Sequence, residues 1–560
     1  ATSGNELATF LLGNPSSALV DQNIDPAYSN KYWAVFLQDD WKLTSRLTLN
    51  LGLRWDYEAP IVERFDRQLR GFDFNAASPI AARAPSLNLK GAVLFAGLAG
   101  QPRGAFDPDR NNFQPRAGVA YRIGDKWVVR AGYGLYFLGQ NEPGAAQGFS
   151  QRTNATVSTD GNLTPAVSLT NPFANLPGGR LLPARGNSQG ASSFLGEALG
   201  VNYLDRPLPY SHQYSFDIER ELPGNMLVEA AYVGNVTRRL PLGVGVNILP
   251  ASELGRRTAT GAINTAYYTD RVPNPMAGLI PNNAALNGAT IPRQQLLMPY
   301  PQYGGIGLQN IAIGSQRYDG FQAKLTKRYS SGLSFLASYG IGKTLEAASL
   351  LNAQDFRLGD VDATERERRS AGQIDIPQKF TIVALYELPF GKGKRWGSGW
   401  ARPADLALGG WQINFDITRQ KGWTLDYPNA AQVKPGSAQL SSPTLDKVFD
   451  TSLWIDPATG RNVPAQEPFT LRTFPTRFGD VRIPGYHNWD ASVSKLFPVR
   501  EALKLQFRFE MINAFNHPWF TNPLGGAGGA LNVTSPNFGK LEATQRNLPR
   551  FLKLALVLSW

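Results

Sequence analysis

The sequence contains no cysteine and only 3 histidines among 560 residues. The lack of cysteine excludes a disulfide scaffold, a Cys-ligated zinc site and a thiol nucleophile. Charged residues make up only 18% of the chain, and its net charge of +12 includes no dense Lys/Arg tract. The nearest such run, 365–369, alternates in sign. A solvated basic surface is therefore favoured over a nucleic-acid partner.

The sequence also lacks an apolar run of the roughly 18 residues that a membrane-spanning helix needs. The apolar segment 551–558 near the end of the chain is too short. The start of the chain has neither Met nor a basic-then-apolar signal pattern. We therefore expect either that a leader has been removed or that the chain is a fragment, and the strand count given below favours a fragment.

Residues that disfavour helices are abundant, with 56 Gly, 40 Pro, 12 Trp, 20 Tyr and 30 Phe. This composition is typical of many strands joined by turns. Apolar and polar residues also alternate over long stretches, for example in 47–57, 127–137, 411–418 and 503–511. In a helix this pattern would spread charge over every side, whereas a strand gains one apolar and one polar face.

The alternation predicts thirteen strands, most of them about 11 to 13 residues long. Soluble strands average about 5 or 6 residues, whereas a tilted strand that crosses a bilayer needs about 9 to 11. The predicted strands are 31–43, 46–57, 113–123, 127–138, 212–222, 225–235, 317–329, 332–343, 378–388, 410–420, 487–497, 502–513 and 550–560.

Short and long connections alternate between these strands. The long ones are 58–112, 139–211, 236–316, 344–377, 421–486 and 514–549. Successive turns of an up-and-down barrel lie at opposite rims, so this alternation indicates a transmembrane barrel with short periplasmic turns and long extracellular loops. A soluble sandwich would not require such alternation of connection lengths. A wide barrel accommodates both faces of every strand, with lipid outside and a polar lumen inside.

Thirteen is an odd number, and single-chain bacterial barrels have even strand numbers. If the short turns are periplasmic, the last strand ends at the periplasmic rim and the first begins outside. We therefore expect at least one further strand upstream. In the last strand Leu556, Leu558 and Trp560 share a face and the chain stops on the aromatic ring, which predicts an interfacial end that matters for barrel assembly.

Several segments resemble one family. Residues 32–42 (YWAVFLQDDWK) and 47–57 (LTLNLGLRWDY) resemble the QDDWK…LTLNLGLRY strand pair of TonB-dependent outer-membrane receptors. Further matches resemble the Oar-like branch, whose members carry a carboxypeptidase regulatory-like domain. They are NFQPRAG at 112–118, ELPGN at 221–225, YELPFGKG at 386–393, GWQ at 410–412, NWD at 488–490 and NAFNHP at 513–518.

The resemblance implies a barrel of about 22 strands around a plug, preceded by a regulatory-like domain and a short box that contacts TonB. We find none of these extra parts in the sequence, so 1–560 is expected to be a single C-terminal barrel portion with about 13–14 of the strands. The implied location is the outer membrane of a Gram-negative bacterium. The implied partners are TonB, through the absent N-terminal region, the barrel-assembly machinery, outer-membrane lipid and lipopolysaccharide.

Three local motifs have ordinary structural explanations, which we favour. Residues 186–190 spell the G-x-S-x-G of hydrolases, but that elbow needs a strand before it and a helix after it. Residues 107–111 carry oxygen ligands at alternate positions but lack the glycine and glutamate of a calcium loop, so a turn stabilised by Asp and Asn is favoured. His212, His487 and His517 lack metal-ligand spacing, so hydrogen bonding at the rim is favoured over a metal site.

The polar faces of the strands supply the candidate ligand-binding residues, for which a wetted wall with cross-strand ion pairs is the favoured explanation. Aromatic residues near strand ends (Trp33, Trp41, Trp55, Tyr57, Trp127 and Trp411) are interpreted as interface girdles. The candidates on the polar faces are Arg54, Arg130, Lys504, Arg508 and Glu510.

The function predicted from these patterns and from the resemblance is that of a receptor barrel. It would take part in energised uptake of an unidentified ligand, which the long loops capture. No enzymatic activity and no cofactor are expected. Two alternatives stay open: a barrel for adhesion or scaffolding, and an outer-membrane enzyme with its active site in the loops, for which no loop cluster is found.

Overall fold

The computed structural model describes residues 6–139, 147–158, 164–176, 179, 181, 184, 186–280, 283–356, 369–370, 374–498, 503–521 and 527–560. No helix within them is long and apolar enough to cross a membrane. The α-helices are α1 (Glu6–Leu11), α2 (Thr265–Thr269), α3 (Ala284–Asn287), α4 (Arg293–Leu296), α5 (Arg402–Leu408) and α6 (Ala527–Ala530).

Strands dominate the fold. They are β1 (Ala18–Asn23), β2 (Tyr28–Ser29), β3 (Tyr32–Lys42), β4 (Leu47–Glu58), β5 (Val62–Glu63), β6 (Leu69–Ala77), β7 (Lys90–Phe95), β8 (Asn112–Ile123), β9 (Trp127–Phe137), β10 (Ser150–Ala155), β11 (Ala198–Asn202), β12 (Tyr210–Leu222), β13 (Met226–Gly245), β14 (Arg271–Pro273), β15 (Thr290–Pro292), β16 (Gly305–Ser330), β17 (Leu333–Ala347), β18 (Arg369–Ser370), β19 (Gln378–Glu387), β20 (Trp411–Gln420), β21 (Thr424–Asp426), β22 (Arg477–Arg482), β23 (Tyr486–Pro498), β24 (Lys504–Ile512) and β25 (Phe551–Ser559).

The main sheet has fifteen strands, of which thirteen form an antiparallel path in the order β25-β24-β23-β20-β19-β17-β16-β13-β12-β9-β8-β4-β3. β11 pairs in parallel with the extension of β16, and β18 pairs with the end of β17. The thirteen strands of the path are those that the sequence predicts. Neighbours along the chain are also neighbours in this path, so it is an up-and-down meander with the short connections at one rim and the long ones at the other. We call the rim with the short connections the inner rim and the rim with the long connections the outer rim. Within the described residues the edge strands β3 and β25 have a partner on one side only.

The strand register pairs outward-facing residues with outward-facing residues, and lumen-facing residues with lumen-facing ones, across the whole sheet. Phe509, for example, is paired with Val493 and Leu554, and the neighbouring Arg508 is paired with Ser494 and Ala555. The first set belongs to an apolar outer face, on which Leu554 is 70% exposed. An apolar surface of this extent, without protein cover, is typical of contact with lipid. The opposite, mainly polar face is called the lumen face.

Aromatic rings mark both ends of the outer face. The indole of Trp55 donates to the carbonyl of Arg110 (2.8 Å), and that of Trp411 to the carbonyl of Ala407 (2.9 Å). Each ring thus has an apolar body and a hydrogen-bonded tip, as interfacial aromatics require. Of the predicted girdle residues, Trp33, Trp55 and Tyr57 lie towards the outer rim, and Trp41, Trp127 and Trp411 lie at the inner rim.

The tight connections have the backbone that twisted hairpins need. Between β16 and β17 the two loop residues are Ser331 and Gly332, with φ values of 52° and 81°. Positive φ at both positions is the type I′ pattern, which matches the twist of the flanking strands. The predicted strands 317–329 and 332–343 leave the turn at 330–331, so the observed turn is shifted by one residue. The connection 498–501, between the predicted strands 487–497 and 502–513, lies largely outside the described residues.

Three strands are longer than the sequence predicts. β13 has 20 residues and β16 has 26, and both extend beyond the predicted wall into the connection 236–316. Their pairing is regular as far as Arg238 and shifts between Arg238 and Leu240, where Pro241 follows and Arg239 has a φ of 58°. This bulge tolerates the proline and separates the wall from the extension. The third, β17, runs to Ala347.

The long connections fold into two bodies at the outer rim. The first lobe comprises the described parts of 59–111, 138–209 and 239–314. Its core joins all three segments, with Phe72, Phe194 and Met276 among the buried side chains. Met276 and Tyr303 have no exposed surface, and burial raises the pKa of the Tyr303 hydroxyl. The long connections 139–211 and 236–316 therefore contribute to a folded core, although the sequence analysis predicts no strand or helix in either.

The second lobe comprises 421–485 and the described parts of 513–550. Trp454 lies at its centre, fully buried, and its indole donates to the carbonyl of Ala430 (2.9 Å). The rings of Tyr427, Phe449, Phe478 and Phe538 surround it, with centroids 5.5–6.1 Å away. Such edge-to-face aromatic packing stabilises a water-exposed body that receives no support from lipid.

Candidate functional site: the lumen face and its outer mouth

All five predicted ligand-binding candidates lie on the lumen face. Their register partners on neighbouring strands are lumen-facing residues, and alternate residues along each strand point to the same face. Two of them, Arg54 and Arg130, are on β4 and β9. Arg54 forms an ion pair with Asp56 (2.7 Å) and donates to the Tyr32 hydroxyl (2.9 Å). Arg130 pairs with Asp217 (3.2 Å) and with Glu219 on the adjacent strand β12.

The other three candidates lie near the β25 edge. Arg508 pairs with Glu510 (2.8 Å), and Glu510 also contacts Lys553 of β25 (3.5 Å). Lys504 is exposed at the inner rim. Four of the five candidates therefore take part in ion pairs of the wall, as the favoured explanation requires. Their role in ligand binding stays a prediction.

One part of the lumen face, which sequence reasoning missed, is a groove of about 550 Å³ across β4, β8, β9, β12 and β13. Glycines form its floor: Gly118 is paired with Gly132, and Gly134 with Arg116. The Tyr136 ring lies over Gly134, where an added Cβ would approach it to 2.6 Å, and the Arg116 guanidinium lies 4.7 Å from the same ring. The alternating glycines of β9 were the available sequence signal, but they do not reveal which side chains lie above them.

A second lumen cavity, of about 670 Å³, lies across β17, β19, β20, β23 and β24 and is acidic. Asp416 and Asp490 are directly paired across two strands, and both line the cavity together with Glu510. The Asp490 carboxylate accepts from the Asn513 backbone (2.8 Å). Like charges directly opposite each other repel, so this pairing gives the wall a local excess of negative charge. Lys327 also lines the cavity, and Glu510 is paired with Arg508.

The two lobes contact each other through residues 255–268 of the first and 467–469 of the second. The Phe469 ring of the second lobe stacks on Tyr268 of the first lobe, with centroids 4.1 Å apart. The Phe469 carbonyl accepts from the backbone of Gly255 (2.9 Å), and Arg257 pairs with Glu467 (2.8 Å). The outer mouth is therefore bordered by two folded bodies in mutual contact.

Asp375 ties the second lobe to the wall. Its buried carboxylate accepts from Lys343 (2.8 Å), from the backbone of Thr344 (2.9 Å) and from Arg482 of β22 (2.5 Å). Burial opposes ionisation of Asp375, but the hydrogen bonds from Arg482 and Lys343 outweigh it, so the carboxyl pKa lies below its ordinary value. The carboxylate stays charged and holds three segments together.

The local motifs have structural roles. Residues 186–190 form a turn that leads into a 3-10 helix at Gly190–Ser192, not the strand–turn–helix of a nucleophile elbow. Asp107 pairs with Arg70, and Asp109 accepts from the Leu208 backbone (2.9 Å), so both carboxylates bind to other segments of the first lobe. No group of three or more possible metal-ligating side chains occurs in the described part of the chain.

The three histidines lie near strand or loop edges. His212 is hydrogen-bonded to the Tyr133 hydroxyl (2.8 Å), and the indole of Trp489 donates to Nε2 of His487 (2.8 Å). The rings of His487 and His517 stack with centroids 4.7 Å apart, which the sequence separation did not reveal. The expected hydrogen bonding is confirmed for the first two rings.

Comparison with known proteins agrees with this architecture. A family model described as an outer membrane beta barrel domain matches residues 1–553. The chain belongs to this family. The predicted all-β barrel class, the recognition of an outer-membrane barrel and the location in a Gram-negative outer membrane are thereby confirmed. The Oar-like branch stays a prediction.

Several solved structures match the chain at low identity and low TM-score. They include the outer membrane transporter YddB from Escherichia coli (9% identity, TM-score 0.40, 94% of this chain and 44% of that one). The ferripyoverdine receptor of Pseudomonas aeruginosa matches at 11% identity with a TM-score of 0.39, over 94% of this chain and 38% of that one. The siderophore receptor PiuA from Acinetobacter baumannii matches at 10% identity with a TM-score of 0.38, over 94% of this chain and 43% of that one. The chain thus spans less than half the length of these proteins. No curated protein matches it significantly in sequence.

Proposed function

We propose that this barrel takes part in energised uptake of a ligand across the outer membrane. In this proposal the two lobes capture the ligand at the outer rim, and the lumen face forms the wall of its path inward. The chain contributes binding and positioning and carries out no covalent chemistry.

The observation that carries the proposal is the arrangement of polar surface. The lumen face has two cavities of different character, a glycine-floored groove beside Arg116 and an acidic cavity around Asp416 and Asp490. The long connections at the outer rim fold into two lobes, each with its own core. A structural or adhesive barrel needs the lobes but has no use for open, charged cavities inside its wall.

The proposal also requires closure of the sheet. Backbone groups at an open edge cannot be satisfied by lipid, so the free sides of β3 and β25 need strand partners. We propose that further strands of the same receptor complete a barrel of about 22 strands. We also propose that a plug gates the barrel and that TonB acts through a box beside the plug. The barrel-assembly machinery would insert it.

Growth assays test uptake. A receptor deletion strain and a strain complemented with the full-length receptor are compared on limiting ferric siderophores, cobalamin, glycans and peptides, each supplied alone. Uptake predicts that growth on at least one source is lost in the deletion strain and restored by the receptor. Arg116→Glu, in the groove, should fail to restore it, whereas Arg122→Glu, on the same face and strand but at the inner rim, should succeed. Equal growth of all strains on every source, together with lost surface attachment in the deletion strain, would favour adhesion.

Replacement of the lobe tests capture. Shortening all of 236–316 would remove the strand extensions, so residues 246–304 are replaced by a short Gly/Ser linker in the full-length receptor. The barrel should still insert, and uptake should be lost. In the full-length receptor that keeps 246–304, epitope tags inserted in this segment should be accessible on intact cells. Access only after the outer membrane is broken would contradict the topology, whereas normal uptake by the shortened receptor would contradict only the capture role.

A further inference from the structure

The chain that leaves β24 folds back along the outer-rim end of β23. Residues 513–519 are here called the return strap. The backbone of Ala514 donates to the carbonyl of Trp489 (2.7 Å). Further along the strap, the ring of His517 stacks on that of His487, with centroids 4.7 Å apart and an angle of 18° between the planes. Two imidazoles therefore form one of the contacts between the strap and the wall.

His517 also connects the strap to the start of the last strand. Its carbonyl accepts from the side chains of Asn513 (3.2 Å) and Asn547 (2.9 Å). The side chain of Asn516 accepts from the backbone of Arg550, the residue before β25 (3.0 Å). The strap is thus bonded to β23 on one side and to the segment that leads into β25 on the other, so a change at its imidazoles reaches the outer-rim end of β25.

The hydrogen bond of Trp489 requires a neutral His487. The indole N–H donates to Nε2 of His487 (2.8 Å), so this nitrogen is the acceptor and the ring proton lies on Nδ1. Protonation of the imidazole would place a hydrogen on Nε2 and abolish the bond. Neutral His487 therefore keeps both the stack and the hydrogen bond, whereas the imidazolium loses the bond.

The charged groups around the stacked pair are cationic. Arg419 of β20 is the register partner of His487. Lys379 and Lys421 line the cavity that His487 borders, and no carboxylate is among the described residues that line it. The segment 546–550 contributes two arginines and no acidic residue. A positive charge on either imidazole would therefore be repelled by its neighbours and by the other ring.

The carboxylates of the neighbouring strands point elsewhere. Asp416, Asp490 and Glu510 lie on the lumen face, whereas His487 is on the outer face. The Asp490 carboxylate accepts from the Asn513 backbone (2.8 Å). None of these three carboxylates is therefore placed to neutralise a charge on the stacked rings.

We propose that the His487–His517 stack is a pH-responsive contact, which holds the return strap on β23 while both rings are neutral and releases it when acid protonates them. Imidazole is the side chain that changes charge in mildly acidic water. The stabilisation by the stack is complete above the titration range of the two rings and is lost as the pH falls through it. The start of β25 loosens with the strap, so the outer end of the wall changes shape in acid. This device is independent of the proposed uptake function.

Hydrogen exchange of the full-length receptor in detergent micelles tests the proposal at about pH 7.5 and about pH 5, on either side of the ordinary imidazole range. Protection factors of the strap amides, corrected for the intrinsic pH dependence of exchange, should fall at least about tenfold in acid. In His487→Gln the side chain can still accept from Trp489 but cannot be protonated, so the protection of the strap should be nearly the same at both pH values. Trp489→Phe removes the donor to Nε2 and should move the loss of protection to higher pH.

The control is His212→Gln, because His212 lies on β12, several strands away from the strap, and this variant should keep the full acid response. Heat modifiability on gels verifies that each variant is a folded barrel. Unchanged protection of the strap between the two pH values in the unaltered receptor would overturn the proposal. So would an acid response of His487→Gln equal to that of the unaltered receptor, because the response would then belong to another group.

Discussion

The wall and the lobes of this protein solve opposite problems. In β24 and β25 nearly every side chain is accessible, and Leu505, Phe507, Phe509 and the leucines of β25 face outward, where lipid covers them. In the second lobe the apolar side chains turn inward around Trp454 because water surrounds the body. The same residue types therefore mark the outside of one region and the inside of the other. The solvent determines which side becomes the core.

The largest effect is expected in the lobe. Trp454→Ala should cost about 3–5 kcal/mol of the local stability of the second lobe, because it removes a buried ring and its hydrogen bond to Ala430. Barrel insertion should be unaffected, since Trp454 does not contact the wall strands through its rings. Hydrogen exchange of 421–485 and heat modifiability measure the two effects separately. Loss of the folded barrel would show that lobe and wall fold as one unit.

The matched control is Trp396→Ala, since this ring is about half exposed in the connection 388–410 at the inner rim. It should leave exchange in 421–485 unchanged. Equal destabilisation by the two variants would break the comparison between the regions.

In the wall, a charged side chain introduced on the apolar outer face should destabilise the barrel, because that face contacts lipid. Phe509→Arg, in the middle of β24 on the outer face, should destabilise the barrel in lipid by about 2–4 kcal/mol. Leu505→Arg should cost only about 0–1 kcal/mol, because Leu505 lies next to the inner rim. Gln506→Arg, on the lumen face, should be mild. Urea unfolding in lipid vesicles measures all three, and equal losses for Phe509→Arg and Gln506→Arg would contradict the assignment of faces.

Acid should weaken the first lobe at one buried group. Glu63 is fully buried, and burial opposes its ionisation, but hydrogen bonds from Arg67 and from the Ala27 and Phe65 backbone outweigh this and lower its pKa to about 2. A depressed pKa means that the stabilisation is complete above the unfolded value of 4.5 and is lost as the pH falls from there through about 2. The loss amounts to up to about 3 kcal/mol.

Hydrogen exchange of 59–67 as a function of pH measures this linkage. Glu63→Gln should be less stable at pH 7 and should lack the acid dependence between pH 4.5 and 2. An unchanged acid dependence in that variant would assign the effect to another group.

The smallest effect is expected at the end of the wall. Trp560 is 89% exposed and would contribute to insertion through the interface, not through packing. Trp560→Ser in the full-length receptor should lower, without abolishing, the amount inserted in the outer membrane. Leu558→Ser should act in the same direction, because its side chain pairs with Leu505 on the outer face. Unchanged surface levels would contradict the assembly role of Trp560, Leu558 and Leu556.

The sequence by itself determined the wall. Alternation of period 2 identifies a strand without knowledge of its neighbours, and it also identifies the lipid-facing side, as in 503–511. The tight turns carry their own backbone signals, such as Gly332. The candidate charges on the lumen face followed from the same alternation, since a side chain in a strand can point only to one side or the other.

Only the tertiary structure decided the lobes and the sites. The first core brings Phe72, Phe194 and Met276 together from three segments. No periodic pattern within a single segment predicts this contact. The extension of β13 beyond Arg238 depends on a bulge that its pairing with β16 stabilises. The stacking of His487 on His517 likewise joins two segments that are distant in the sequence. Strand faces are local properties of the backbone, whereas cores and clefts depend on which segments meet, and solvent and packing decide that.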